Sequence, residues 1–228
     1  MFNKVLNYVL TPIIDRKLLY EKLGVLGRQP INYTALDLEL TSLDKRCTEI
    51  TSMGYVSGVD GVIDLASCCY DVINSSADLG QSPVIHGLTE SILAEGCELS
   101  DALVRMLPRL NDSIVVFHNA RLDLAALHNA FVKHKLPQVR VLFVDTLTLA
   151  LYHLRKQHQV LPLQSATLSV CRQRLGLPNF PEHNALDDAL ATLELYFAQL
   201  HQLGLEKPYN VKELSHTGAL GVMKIGEC

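Results

Sequence analysis

The chain has 228 residues, of which 48% are hydrophobic and 19% are charged, and its formal net charge is −4 at pH 7. This length suffices for one well-buried domain and only marginally for two, and the composition excludes a wholly disordered protein. The small negative charge does not decide whether the chain binds nucleic acid. Such proteins are often strongly basic, but a site rich in carboxylates adds acidity of its own.

The cysteines and the apolar segments indicate the cellular compartment. None of the six cysteines belongs to a C-x-x-C pair of the kind that binds zinc. No apolar run approaches the roughly 20 residues that cross a membrane. The stretch VLNYVLTPII is interrupted by Asn7 and Pro12 and lacks a small-residue cleavage site, so a signal peptide is not expected. We therefore expect a cytoplasmic protein with reduced thiols and no membrane association.

Residues 1–29 precede the first strong strand pattern. Apolar residues recur there at helical spacing, at Phe2, Leu6, Val9 and Ile13. A helix with such an apolar stripe usually packs on one face of a domain. The segment is therefore predicted to be an N-terminal helical extension that covers the domain. The alternative is a docking helix for a partner subunit.

Three strands are predicted next. Residues 31–38 have a strand pattern, and two further strands are expected around the turn Val59-Asp60-Gly61. Strands and helices then alternate, with strands over 113–117 and 141–144 and helices over 89–110, 122–135, 145–156, about 165–175 and about 185–203. This order predicts an α/β fold in which a mixed sheet is flanked by helices. The main domain is expected over 30–204, followed by a tail over 205–228 with weak periodicity and several glycines.

Two acidic residues lie inside an apolar strand pattern. Asp37 and Glu39 belong to YTALDLEL, where residues two apart project from the same face of a strand. An unpaired carboxylate in such a place costs several kcal/mol. Divalent cations with a preference for oxygen ligands would supply the compensating charge. A D-x-E pattern alone is a weak signal, because it occurs by chance in most proteins.

A third acidic residue follows a buried strand. Asp123 lies at the start of a helix in VVFHNARLDLAALHNAF, and such strand-to-helix junctions often position ligands in α/β proteins. The alternative is an acid that interacts only with the dipole of its own helix.

The last candidate segment is EHNALDDALAT. His183 precedes a predicted helix and Asp188 lies in its early turns, so the loop can bring the histidine over the face that carries the acid. The alternative for His183 is a capping or surface histidine. Asp187 competes with Asp188 for the ligand role, and periodicity only mildly favours Asp188 as the inward residue.

The three segments together resemble a known family. LDLE, FHNARLDLAAL and HNALDDALAT look like the three motifs of the DEDDh 3′–5′ exonucleases, which include the epsilon proofreading subunit of bacterial DNA polymerase III. The resemblance implies a ribonuclease H-like fold and two divalent ions, Mg²⁺ or Mn²⁺. It assigns Asp37, Glu39, Asp123 and Asp188 as metal ligands and His183 as general base. The H-x-x-x-x-D spacing of the family selects Asp188 over Asp187.

The resemblance also implies residues that contact the substrate. Leu40 and Leu43 match positions where the family packs apolar side chains against terminal bases, and the alternative for both is ordinary core packing. His86, His118 and Asn119 match positions that line the family's site.

The resemblance therefore implies a metal-dependent exonuclease that removes nucleoside monophosphates from 3′ ends. The expected partner is nucleic acid with a free 3′ end, with single-stranded DNA favoured. The same chemistry on RNA or short oligoribonucleotides is the alternative, since a fold alone does not decide the substrate. A non-catalytic nucleic-acid-binding or scaffold module is less favoured, because all five catalytic positions are filled. A polymerase or another protein is a candidate partner.

Overall fold

A computed structural model describes residues 16–26, 30–41, 48–75, 89–157, 161–162, 164–181, 183–205 and 210–226. Six strands form one sheet in the order β3-β2-β1-β4-β5-β6. The strands are β1 (Asn32–Leu40), β2 (Ile50–Val59), β3 (Val62–Val72), β4 (Ile114–Phe117), β5 (Val139–Asp145) and β6 (Leu220–Ile225). The first three are antiparallel neighbours, β1, β4 and β5 are parallel, and β6 is antiparallel to β5. The predicted mixed sheet is confirmed.

Helices cover both faces of this sheet. They are α1 (Arg16–Leu26), α2 (Glu90–Ala94), α3 (Leu99–Asp112), α4 (Ala120–Lys133), α5 (Thr146–Gln157), α6 (Leu168–Arg174), α7 (Ala185–Gln202) and a 3₁₀ helix (Val211–Thr217). Within the described part of the chain, no helix has the length and apolarity that a membrane crossing requires.

Alternating residues of β1 divide the core in two. Leu36 and Leu38 lie in a cluster with buried side chains of α3 and α4. Tyr33 and Ala35 lie in a second cluster with α1, α7 and the 3₁₀ helix. Because side chains alternate along a strand, Asp37 continues the face that α7 covers.

The predicted turn between β2 and β3 is confirmed. Asp60 and Gly61 both have positive φ, 56° and 81°, as a two-residue type I′ hairpin requires. Farther along, Tyr55 pairs with Cys69 and Ser57 with Asp64, so residues 65–68 bulge opposite one residue of β2. β3 is therefore an irregular edge strand.

The predicted helix over 89–110 is two helices. Cys97 forms a β-bridge with Ile73 between α2 and α3, and its N–H donates to the Val72 carbonyl oxygen at 2.9 Å. This pairing draws the chain out of the helix, although apolar residues keep helical spacing across the break.

The prediction of a tail after residue 204 is wrong for residues 210–225. They form the 3₁₀ helix and β6, which pairs along the whole of its length with β5. Gly221 weakens the strand pattern in the sequence, yet it fits the fold closely, because an added Cβ would lie 2.6 Å from the Phe143 ring.

Part of the predicted N-terminal extension is α1. Its Leu19 and Leu23 are buried in the cluster that contains Tyr33. The apolar residues from Phe2 to Ile13 lie outside the described residues, and the limits of the extension stay a prediction.

Candidate active site

Two of the predicted ligands lie where β1 runs past its neighbour. Residues 33–35 of β1 pair with β4, which ends at Phe117, and β1 continues to Leu40. Asp37 and Glu39 therefore lie beyond the carboxyl end of β4, on the face that α7 covers. Glu39 is only 6% exposed, so its carboxyl group is enclosed by protein.

The start of α7 brings the third carboxylate to this place. Asn184 caps the helix, since its side-chain oxygen accepts the N–H groups of Leu186 and Asp187. Gly54 of β2 is paired with Asp37, and an added Cβ there would lie 2.2 Å from backbone atoms of α7. Glycine thus permits the close approach of helix to strand.

Three acidic side chains meet at this contact. Carboxylate oxygens of Asp37, Glu39 and Asp188 all lie within 4.8 Å of one another. Of the two adjacent acids that the sequence pattern left open, the structure brings Asp188 into this group.

The fourth predicted ligand comes from the other side of β1. Asp123 lies in the first turn of α4 and is only 6% exposed. Its carboxylate accepts the backbone N–H of Leu38, the residue between Asp37 and Glu39. The β4–α4 junction thus places Asp123 at the same end of β1 as Asp37 and Glu39.

The electrostatics of the group favour a cation. Removal from water raises the pKa of Asp37 well above its usual range, and the charges of Asp123, Asp188 and Glu39 raise it further. Burial and then the Asp188 charge raise the pKa of Glu39 to about 7. Burial likewise raises the pKa of Asp123 to about 8, although N–H groups of Asp123 and Leu38 oppose the rise. These acids fit a divalent-cation site, because a cation would offset the cost of ionising them together.

His183 lies beside this group on the loop between α6 and α7. It has a left-handed backbone conformation, with φ of 71°, which is uncommon for a residue other than glycine. Its N–H donates to Oδ2 of Asp188 at 3.0 Å, while the residue as a whole is exposed. The structure thus ties the backbone of the predicted base to a predicted metal ligand.

The substrate residues implied by the resemblance have different surroundings. Leu40 is half-buried and packs against the core cluster that contains Leu36, as the core-packing alternative expects. Leu43 and His86 lie outside the described residues.

His118 and Asn119 lie at the β4–α4 junction. The His118 ring nitrogens are 2.8 Å from Oγ1 of Thr146 and 3.0 Å from the Ala166 carbonyl oxygen, and burial lowers the pKa of this ring. Asn119 has a left-handed conformation, and its N–H donates to Oδ1 of Asp145 at 2.9 Å. Both residues therefore have roles in holding this junction together.

Sequence reasoning missed two residues near the site. Gly54 is an inconspicuous glycine in a strand, although a glycine inside a strand pattern can signal a close backbone approach. Arg172 is a buried arginine that follows an apolar helix pattern, and no local signal distinguishes it from its exposed neighbour Arg174.

The sequence matches an exonuclease family model and two DNA polymerases. A family model described as the RNase T exonuclease family covers residues 34–196. The chain is 28% identical over 200 residues to a PolC-type DNA polymerase III of Thermotoga petrophila and 29% identical over 200 residues to that of Thermotoga maritima. Each alignment covers 86% of this chain and 14% of the polymerase, so the chain spans about one seventh of the length of these relatives.

Solved structures share the fold. The nuclease domain of 3′hExo, a DEDDh family member bound to rAMP, has a TM-score of 0.61 at 12% identity, covering 78% of this chain and 95% of that domain. Exonuclease I of E. coli, in complex with a dA16 oligonucleotide, has a TM-score of 0.60 at 15% identity, covering 76% of this chain and 42% of that one. The ribonuclease H-like exonuclease fold is thereby confirmed. Since the family model spans most of the chain, this protein belongs to the RNase T exonuclease family.

Proposed function

We propose that the protein hydrolyses phosphodiester bonds at the 3′ ends of single-stranded DNA and releases nucleoside monophosphates. The observation that carries this proposal is the group of three carboxylates within 4.8 Å at the end of β1. Four buried or half-buried acids at one place are costly without a cation, which makes a metal-dependent hydrolysis the chemistry that best fits the site.

Asp37, Glu39, Asp123 and Asp188 would hold two divalent ions, Mg²⁺ or Mn²⁺. Such ions lower the pKa of a bound water and stabilise the charge of the leaving oxygen in phosphoryl transfer. The four side chains come from a strand and two helices, and carboxylate oxygens are the ligands that these ions prefer.

His183 is proposed as the general base that removes a proton from the attacking water. A neutral imidazole accepts a proton near pH 7, and a positioned base typically contributes about 10²–10⁴-fold to a rate. The hydrogen bond from its N–H to Asp188 supports this role, because it keeps the residue next to the carboxylate group.

Several observations bear on the substrate. The PolC-type relatives are DNA polymerases, and the E. coli exonuclease of similar fold was solved with a DNA oligonucleotide. RNA or a short oligoribonucleotide is the second candidate, since the 3′hExo domain was solved with rAMP. The likeness to PolC-type enzymes makes a polymerase a candidate partner, and a cytoplasmic location stays a prediction.

The test is a digestion of 5′-labelled single strands of identical sequence, one of DNA and one of RNA, with Mg²⁺, Mn²⁺ or EDTA. We expect stepwise shortening of the DNA strand in the presence of metal, no reaction with EDTA, and protection by a 3′ phosphate. Asp37→Asn serves as the inactive control. Efficient cleavage of a closed DNA circle would refute the exonuclease proposal, and faster digestion of the RNA strand would select the second candidate.

A further inference from the structure

Arg172 of α6 is a buried charge beside the active site. The residue is only 3% exposed. Its Nη1 donates to the Ala191 carbonyl oxygen of α7 at 2.7 Å, and its Nη2 donates to Oε2 of Glu194, also on α7, at 2.8 Å. Arg172 therefore joins α6 to the helix that carries Asp188.

The same guanidinium also contacts the loop between the two helices. Nη2 donates to the Pro178 carbonyl oxygen at 2.8 Å. The guanidinium carbon lies 4.8 Å from the centre of the Phe180 ring, within the range of a cation–π contact. One side chain thus holds α6, α7 and the loop residues Pro178 and Phe180 together.

A buried arginine is a costly way to fill space. Desolvating a guanidinium costs several kcal/mol, and apolar residues of similar volume are often equally or more stabilising. Arginine, unlike an apolar residue, fixes the orientation of its neighbours, because its planar guanidinium group donates hydrogen bonds to several acceptors at fixed angles. The expected role of Arg172 is therefore to fix the geometry of the loop, and not only to fill space in the core.

The loop held by Arg172 ends at the predicted base. His183 closes the loop, and its N–H is bonded to Asp188. A cavity of about 50 Å³ between α6, the loop and α7 is bordered by Arg172, Phe180 and Asp188. The contacts of Arg172 and the His183 hydrogen bond hold the chain on the two sides of this space.

We propose that Arg172 is a positioning residue for the general base. It holds the loop around Pro178 and Phe180 against α7, which keeps His183 beside Asp188. This inference rests on the proposed role of His183, and it adds a residue that would act through the loop rather than on the reacting atoms.

The first test is a double-mutant cycle with single-turnover kinetics. Arg172→Met is expected to lower kcat by about 10–100-fold, since a shift of about 1 Å in a catalytic group can cost 10²-fold. KM and the affinity for Mn²⁺ should change less than about twofold. In the His183→Ala background the same substitution should cost almost nothing, because the group that it positions is gone. An equal loss in both backgrounds would overturn the proposal.

Arg174→Met is the matched control. Arg174 lies on the same helix, is exposed, and donates to the Ser165 carbonyl oxygen rather than to the loop or α7. It should retain activity within about twofold. If Arg172→Met does not fold, Arg172→Lys keeps the charge but reaches fewer acceptors, and it should show the same cycle with a smaller loss of kcat.

Hydrogen exchange tests the positioning without reference to catalysis. The amides of Leu177, Asn179, Phe180 and His183 should exchange faster in Arg172→Met than in the wild type, and at the wild-type rate in Arg174→Met. Unchanged exchange in this loop would refute a positioning role. If instead His183→Ala kept wild-type turnover while the loop still loosened, the proposed base would be wrong and the contact role of Arg172 would stand.

Discussion

The carboxylates of the candidate active site lie on regular elements, whereas the predicted base lies on a loop. Asp37 and Glu39 belong to β1, and Asp123 and Asp188 belong to the first turns of α4 and α7. Backbone hydrogen bonds of the sheet and helices place these acids. His183, by contrast, is exposed and lies on a loop, where its N–H donates to Asp188. Substitution of the carboxylates, the first region, should remove metal binding. Substitution in the loop that carries His183, the second region, should remove only proton transfer.

The largest effect is expected from the carboxylates. Asp37→Asn and Asp188→Asn should each lower single-turnover cleavage by at least about 10³-fold, since metal ions supply several kcal/mol of transition-state stabilisation. Calorimetry should show that Mn²⁺ binding is lost as well. Asp187→Asn is the matched control, with the neighbouring acid on the same helix, and it should remain active. Loss of activity in Asp187→Asn, with Asp188→Asn unaffected, would reverse the assignment.

His183→Ala should distinguish the role of the base from the role of the carboxylates. Turnover is expected to fall by about 10²–10⁴-fold, the usual contribution of a general base. Mn²⁺ affinity should stay within a few-fold of the wild type, because all four carboxylates remain. His201→Ala, an exposed histidine in the last turn of α7, serves as the control. Near wild-type turnover in His183→Ala would place the base elsewhere.

The carboxylates should also make stability depend on pH. Without metal, the folded protein binds protons more tightly than the unfolded chain, because the pKa of Glu39 is raised to about 7 and that of Asp123 to about 8. Stability should therefore be highest near pH 4–5, fall as the pH rises from there, and level off above about pH 8. Urea unfolding in EDTA at a series of pH values measures this change.

Two comparisons sharpen the pH experiment. Mg²⁺ should restore stability above pH 7, because it binds the ionised carboxylates of the folded state. Asp37→Asn should flatten the pH dependence, whereas Asp101→Asn, which changes an exposed acid in the first turn of α3, should leave it unchanged. A stability that rises between pH 5 and 8 in EDTA would contradict the burial of these acids.

Gly54→Ala should disturb the first region without removing a ligand. The added methyl group would lie 2.2 Å from the backbone of α7, so the helix has to move away from β2. Overpacking of this kind typically costs about 1–3 kcal/mol, and the shift of Asp188 should weaken Mn²⁺ binding. Gly24→Ala is the control, because nothing lies within 4 Å of that position in α1 and alanine favours a helix. Equal unfolding midpoints for the two variants would show that α7 does not press against β2.

The parts of the site that could be predicted from sequence depend on local geometry. The common face of Asp37 and Glu39 follows from strand periodicity, and the place of Asp188 near the start of a helix follows from helix periodicity. Other features depend on residues far apart in the chain. No local pattern shows that Asp123 accepts the N–H of Leu38, or that Gly54 lies against α7.

The same distinction holds for the fold. The β2–β3 hairpin was predictable because two residues, Asp60 and Gly61, determine its turn. β6 was not, because a short strand with a glycine has a weak pattern of its own and is stabilised by pairing with β5. The contacts of Arg172 likewise could not be predicted, because they join α6 to α7 and to the loop between them, and no sequence pattern covers these segments together.

The position of β6 has a consequence for the order of synthesis on the ribosome. Of the six described strands it comes last in the sequence, yet it covers the edge of β5, a strand made much earlier. Until β6 emerges, the backbone groups along that edge of β5 have no strand partner from this side and can pair with another chain. Nascent chains are therefore exposed to aggregation in the interval after the four candidate carboxylates have been synthesised and before β6 has paired with β5.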